Sequence, residues 1–248
     1  MCFTVALVRQ GKLITAEEYY AGLPPVKKKG EKIPELPYHY LVSGFSQPAL
    51  AVVKEDGLFL YEWGLIPSWV KDAQTAFDIR SKTLNAVGET AFEKPSYRKS
   101  IATQRCLFPV SGFYEWREFK GMKYPYYIQL AEQDYFSLGA LYDHWVNPET
   151  GEIYNTFSIV TTPANPMMEK IHNLKKRMPL ILSDDDRMKW IDPGLKKEDI
   201  KSLIKPFPES KMTACTISRT ANNARLNRDY PEIQTKVMYP ELEEMLLF

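Results

Sequence analysis

Arg105-Cys-Leu-Phe-Pro-Val110-Ser-Gly112-Phe-Tyr-Glu115-Trp116 is the stretch that decides the fold class. Cys106–Val110 is an apolar run of strand length, closed by Ser-Gly and followed by aromatics around one carboxylate. Working outward, strand-like runs recur at Leu50–Val53, Leu58–Trp63, Tyr126–Leu130, Phe136–Leu141 and Phe157–Thr161, mostly separated by Gly, Pro or Asp-Gly. Phe3–Val8 reads as a strand that begins almost at the amino terminus and would pin Cys2. Helical periodicity comes late: Pro166–His172, Asp184–Ile191 with Ser183 as N-cap, Lys196–Ile204 and Pro240–Leu247. A short helix is expected at Thr15–Tyr20, capped by Thr15 with Glu18, and another at Thr90–Lys94. Leu23–Pro37 carries four prolines around Lys27-Lys28-Lys29 and reads as irregular surface. Strands early and helices late predict an α+β fold, a mostly antiparallel, curved or barrel-like β-sheet core with peripheral helices. One domain over residues 1–248 is expected.

Composition narrows the function classes. The 32 Lys and Arg balance 31 Asp and Glu, leaving a charge of +1, which argues against coating nucleic acid by bulk electrostatics but leaves room for a local basic groove. The hydrophobic share of 44% is that of an ordinary globular chain. Three cysteines without close spacing make neither a disulfide framework nor a zinc motif. Cys106 and Cys215 read as buried strand residues, and a reducing, cytoplasmic setting fits them. The amino-terminal run lacks the basic region of a signal peptide, and no apolar run approaches the ~20 residues that cross a bilayer.

Cys2 carries the distinctive chemistry once Met1 is removed. An α-amine with pKa ~7.7–8.0 is a few hundred times more often neutral at pH 7 than lysine at ~10.4. It condenses with an aldehyde to a Schiff base, and the neighbouring thiol closes a five-membered thiazolidine. A second use of the same group is attack of the thiol on an amide, with the α-amine or a histidine taking the proton. Taken alone, Cys2 reads as no more than a small residue beside a strand, and the company it keeps is what changes that reading. Other segments hold polar groups where a core would have none. Asn85 precedes Gly88-Glu89-Thr90 and reads as a turn or cap. Glu115 among Phe113, Tyr114 and Trp116 is either a desolvated acid–base group or the solvent face of a strand. His172 ends an amphipathic helix, as a charged cap or as a proton-transfer group. Trp63-Gly-Leu-Ile-Pro67-Ser-Trp69 is a hydrophobic corner or a base-stacking wedge.

These segments in order resemble the SRAP family (SOS response-associated peptidase), whose members crosslink to abasic sites in DNA. The resemblance rests on Met1-Cys2, Trp63–Trp69, Asn85-Ala86 with Glu89-Thr90, Arg105-Cys106-Leu with Pro109, and Gly112–Trp116. It continues through Thr161-Thr-Pro-Ala-Asn165, Ile171-His172 and Arg177-Met-Pro179. It implies Cys2 as the nucleophile, Asn85 as the group holding the amino terminus and the linkage, and Glu115 and His172 as the proton-transfer pair. It also implies that Trp69 and Arg177 meet bases and phosphates. Arg105 is a further DNA-binding candidate, and Arg80 and Lys82 join it as cations that, with Arg98, Lys99 and Arg117, would compensate for departures from the family pattern. The implied substrate is single-stranded or junction DNA with an abasic site, bound by a monomer without metal, cofactor or membrane. AP-lyase and autopeptidase activities belong to the same expectation. Four positions depart from the family pattern. Phe3-Thr4 replace Gly-Arg, Val87 replaces Arg, and Gln104 replaces Arg, so three expected cations are neutral. Weaker or altered DNA affinity follows, since a charge-assisted contact is worth ~1.5–3 kcal/mol. Two rivals remain: a cysteine peptidase or amidase built on Cys2, His172 and Asn85, and a non-covalent reader of modified DNA.

Overall fold

The computed structural model describes residues 2–9, 12–13 and 37–243. The expected helix at Thr15–Tyr20, nearly all of Leu23–Pro37 and the last residues of Pro240–Leu247 lie outside the described residues. In chain order the elements begin with strands β1 (Thr4–Ala6), β2 (Val8–Arg9), β3 (Lys12–Leu13), β4 (Val42–Ser43), β5 (Ala49–Lys54) and β6 (Gly57–Trp63). Helix α1 (Ala73–Arg80), β7 (Asn85–Val87) and α2 (Arg98–Thr103) follow. The central strands are β8 (Arg105–Val110), β9 (Gly112–Phe119), β10 (Met122–Leu130), β11 (Phe136–Val146) and β12 (Ile153–Pro163). The chain ends with α3 (Pro166–Ile171), β13 (Arg177–Pro179), β14 (Ile181–Leu182), α4 (Asp184–Ile191), α5 (Lys197–Leu203), β15 (Met212–Thr216) and α6 (Pro240–Glu243).

Five strands close into a barrel in the order β12-β6-β5-β8-β11, with β11 pairing back onto β12. All of these pairings are antiparallel except β12 with β6, and β7 adds a second parallel partner to β12. Trp63, Phe108 and Phe157 come from three different barrel strands and meet across the lumen, with ring centroids 5.0–6.0 Å apart. The opposite strand faces, including Val53, Leu107, Leu141 and Val160, pack under Trp190, Ile191, Ile200 and Leu203 of α4 and α5. This division of faces is the period-2 alternation of strands, with helices covering the outer surface.

A second sheet, β15-β10-β9-β1-β4, lies beside the barrel, and Cys2, Val5, Phe113 and Ile128 join the same apolar core as the barrel lumen. The β9–β10 hairpin turns on Lys120-Gly121, both at positive φ (49° and 75°), the type I′ geometry that matches strand twist. Gly112 admits no side chain, because a Cβ there would lie 2.3 Å from the Tyr127 ring. Gly44 likewise seats its loop on the Trp63 ring, where a Cβ would come within 2.8 Å. That close approach sets the direction of the following Phe45.

The α+β expectation holds, with a mostly β core and peripheral helices. Local differences have physical reasons. Asn85 is not in a turn: β12 supplies a parallel partner for Asn85–Val87, and tertiary pairing overrides turn propensity. The expected helix at Thr90–Lys94 is a 3₁₀ turn at Gly88–Thr90 followed by turns. Helices α1 and α2 carry too few buried residues to show a period. Strand β11 runs five residues past its expected end and β12 begins four residues before its expected start, because these ends pair with one another as far as Val146↔Ile153; β12 also continues two residues further, where it pairs with β13.

Candidate active site

The site grows from the pairing of β1 with β9. Val5 faces Phe113 and Ala6 faces Gly112, so the residues just upstream of β1 come against Glu115. Cys2 is fully buried there, its Sγ 3.8 Å from the Thr4 carbonyl oxygen. Burial, reinforced by Glu115, pushes the Cys2 thiol far up, so at neutral pH it is a thiol and not a thiolate. Glu115 is 3% exposed, so it is not on the solvent face of its strand. Both faces of β9 are covered at this point: Phe113 packs in the main core, while Tyr114 stacks on Tyr127 at 4.9 Å. Burial lifts the Glu115 carboxyl to about 8, leaving it protonated at neutral pH.

His172 reaches the same place from α3. Asn165 caps this helix, its Oδ1 accepting from Met168 N at 2.8 Å, and Pro166 occupies the first turn. His172 terminates the helix, with Nδ1 3.8 Å from Glu115 Oε1. Burial lowers its pKa to about 4, so imidazole and carboxyl meet as neutral groups and not as an ion pair. Nδ1–H donates to the Arg177 carbonyl at 2.8 Å, which leaves Nε2 as the basic nitrogen. A charged helix cap is therefore not the role of this histidine.

Asn85 stands opposite Ile159 in the β7–β12 register, and Ile159 belongs to the core that holds Cys2. By strand alternation its side chain points to that same side. Tyr97 donates to the Asn85 carbonyl at 3.1 Å, but neither side-chain Nδ2 nor Oδ1 has a hydrogen-bond partner among the described residues. A buried, unpartnered amide is costly, and natural structures keep few of them.

The expected DNA contacts are placed differently from one another. Trp69 is 50% exposed and donates from Nε1 to the Pro95 carbonyl at 3.1 Å. Lys82 is exposed. Arg177 holds Glu89 with both terminal nitrogens and donates to the Thr161 carbonyl at 2.8 Å, bracing the strand end whose carbonyl orients His172. Arg80 and Arg105 do not fit the phosphate role. Arg80 is buried against Glu62 and the Gln47 carbonyl. Arg105 is buried and donates to the carbonyls of Trp190, Ile101, Ala102 and Asp192, tying α2 and α4 to β8. The compensating Lys99 is paired with Asp143 at 3.3 Å.

Glu115 and His172 open onto a cleft of about 830 Å³. Phe3, Thr4, Phe45, Trp116, Lys123 and Asn222 line it. Leu174, Lys175 and Arg228 belong to the same lining. Phe45 is 66% exposed and its ring lies 4.9 Å from that of Phe3. Trp116 Nε1 donates to Asn222 Oδ1 at 2.7 Å. Sequence reasoning missed Phe45, Lys123, Lys175 and Arg228. An aromatic in a Ser-Gly-Phe-Ser loop was a readable signal for Phe45, whereas nothing local marks the three cations. Among the described residues, no group of three or more His, Cys, Asp or Glu is arranged to hold a metal ion.

The family model for SOS response associated peptidase (SRAP) matches residues 1–224. The chain belongs to the SRAP family. Among SRAP relatives, abasic site processing protein YoqW of Bacillus subtilis is 36% identical over 202 residues, covering 79% of this chain and 86% of that one. Abasic site processing protein HMCES of Xenopus tropicalis is 33% identical over 185 residues, 66% of this chain and 53% of its own length. A crystal structure of a Bacteroides thetaiotaomicron protein superposes with a TM-score of 0.82 at 34% identity, covering 96% of this chain and all of that one.

Proposed function

We propose that this SRAP protein captures abasic sites in single-stranded DNA through the α-amine and thiol of Cys2 after Met1 is removed. The ring-opened sugar presents an aldehyde. The amine adds to its carbonyl carbon, the carbinolamine loses water, and an imine results. The thiol then adds across the C=N bond, sulfur to carbon and proton to nitrogen, closing a thiazolidine. One water leaves overall.

A single observation carries the reading: the β1–β9 register brings buried Cys2 to buried Glu115, and His172 lies 3.8 Å from the Glu115 carboxyl. Dehydration of a carbinolamine needs an acid, and Glu115 holds a proton at neutral pH. Thiol addition needs a base to take and return the thiol proton, and His172 Nε2 is unprotonated. The high pKa of the thiol favours an order in which the amine reacts first, which a thiolate-led peptidase would not follow. Asn85 holds the amino terminus or the linkage with its buried amide. Trp69 stacks on a base beside the lesion, while Lys82 and Arg177 approach phosphates. Ring closure drains the imine and so competes with β-elimination, the AP-lyase outcome. The names of YoqW and HMCES support the same substrate class.

Intact-protein mass spectrometry after mixing with a single-stranded oligonucleotide bearing one abasic site tests this. The expected product has the summed masses less one water, from processed wild type and not from Cys2→Ala. A processed wild type that forms no adduct overturns the reading, and hydrolysis of an amide substrate by the same sample would put the peptidase rival in its place.

A further inference from the structure

The family match ends at residue 224, yet the chain returns to the cleft after that point. Arg228 lines the cleft together with Thr4, Glu115 and His172. Its Nη1 donates to the Ala221 carbonyl at 3.0 Å, and no further partner engages the guanidinium among the described residues. The next residue locks it in place. Asp229 Oδ1 accepts from Tyr40 N at 2.6 Å and Leu41 N at 3.2 Å, and its Oδ2 lies 2.6 Å from His39 Nδ1. Farther along, Gln234 donates to the Val8 carbonyl at 2.7 Å, and Lys236 bridges to Ile217. Residues 225–237 thus form a strap fastened to both β1-side and β15-side structure.

Thr4 is the position where the resemblance leads one to expect arginine, and here it is 4% exposed and neutral. Glu115 is the one carboxylate among the described lining residues and is protonated at neutral pH, so the cleft presents cations without a competing anion. Arginine suits phosphate better than the lysines nearby because its planar fork can donate two parallel hydrogen bonds.

We propose that Arg228 is a substrate-positioning residue: from outside the family-matched span it meets the DNA phosphate backbone in the cleft, replacing the cation that position 4 lacks. The inference rests on the abasic-DNA reading for its substrate, but its test does not depend on the covalent step. Affinity for an ordinary single-stranded oligonucleotide and for one with an abasic site is measured across a salt series, along with adduct formation against DNA concentration. Arg228→Gln is expected to weaken both affinities about tenfold at low salt. It should also flatten the slope of log affinity against log salt by about 0.7, the signature of one lost phosphate contact on a single strand. The DNA concentration for half-maximal adduct rate rises while the maximal rate stays near that of wild type, and Arg228→Lys restores the salt slope. Asp229→Asn, which loosens the strap, weakens affinity in the same direction. Unchanged affinity and slope in a folded Arg228→Gln protein overturn the proposal. A wild type that binds DNA with the Arg228-dependent slope but forms no adduct would instead remove the crosslinking function and leave this contact standing.

Discussion

Glu115 and His172 are neutral for the same reason, desolvation, and their opposite pKa shifts give the site a defined pH range. In the proposed reaction, adduct formation needs a neutral amine, which a terminal amine provides increasingly up to pH ~8, and a protonated Glu115, which is lost above about 8. The rate of adduct formation is therefore expected to peak close to pH 8, and Glu115→Gln to lower it by about 10²-fold. Single-turnover rates between pH 6 and 9 check this; a profile for the Gln variant that retains the alkaline fall assigns that limb to another group. Stability follows the same groups by linkage. Glu115 rises from 4.5 unfolded to about 8 folded, so its contribution is full below 4.5 and is lost as pH climbs through 8. His172 falls from 6.5 to about 4, so its contribution is present above 6.5 and is lost as pH drops through 4. Of these two groups only Glu115 changes between pH 6.5 and 8, so chemical denaturation should show stability declining with pH there. Glu115→Gln should remove that decline.

At the scale of elements, the site depends on where α3 and the loop before β5 begin and end. Asn165 caps α3 and also donates from Nδ2 to the Phe207 carbonyl at 2.8 Å, so it joins the helix start to the segment leading into β15. Asn165→Ala is expected to cost ~1–2 kcal/mol in urea unfolding. Because His172 closes the other end of the same six-residue helix, adduct formation should slow as well. An unchanged rate would mean that the Arg177 carbonyl alone positions the imidazole. Arg105 shows the same dependence in the outer layer. It ties α2 and α4 to β8 through backbone carbonyls, so Arg105→Gln should lower the melting temperature and leave the salt dependence of DNA binding as in wild type. A flatter salt slope would return Arg105 to the phosphate-binding set.

Over the whole molecule, barrel and second sheet share one core, and Cys2 belongs to it. The aromatic trio Trp63, Phe108 and Phe157 fills the lumen, and Gly44 rests on Trp63, so barrel packing reaches the cleft wall at Phe45. Trp63→Ala should cost ~3–5 kcal/mol. Under conditions where the variant is still folded, its adduct rate should fall too, because the Gly44–Phe45 loop loses its seat. A folded variant with the wild-type rate would separate barrel packing from the site.

The residues themselves made much of this legible. Apolar runs at Cys106–Val110 and Leu58–Trp63 announce strands through local alternation and turn chemistry, properties carried within a few residues. The ordered motifs from Met1-Cys2 to Arg177-Met-Pro179 named the family and picked out Cys2, Glu115 and His172, which the fold brings together. Solvent exposure was not legible in the same way. Glu115 alternates like a surface residue, and only the packing of β1, β9 and α3 around it makes it an acid that keeps its proton. Arg80 and Arg105 read as cations free to meet phosphate, and only tertiary contacts turn their donors inward. Arg228 lies 113 residues from Glu115 along the chain, and closing the strap over β1 brings both to one cleft. Local sequence determines which chemistry a residue carries, whereas desolvation and long-range proximity are properties of the packed chain, and these decided which of its groups form the site.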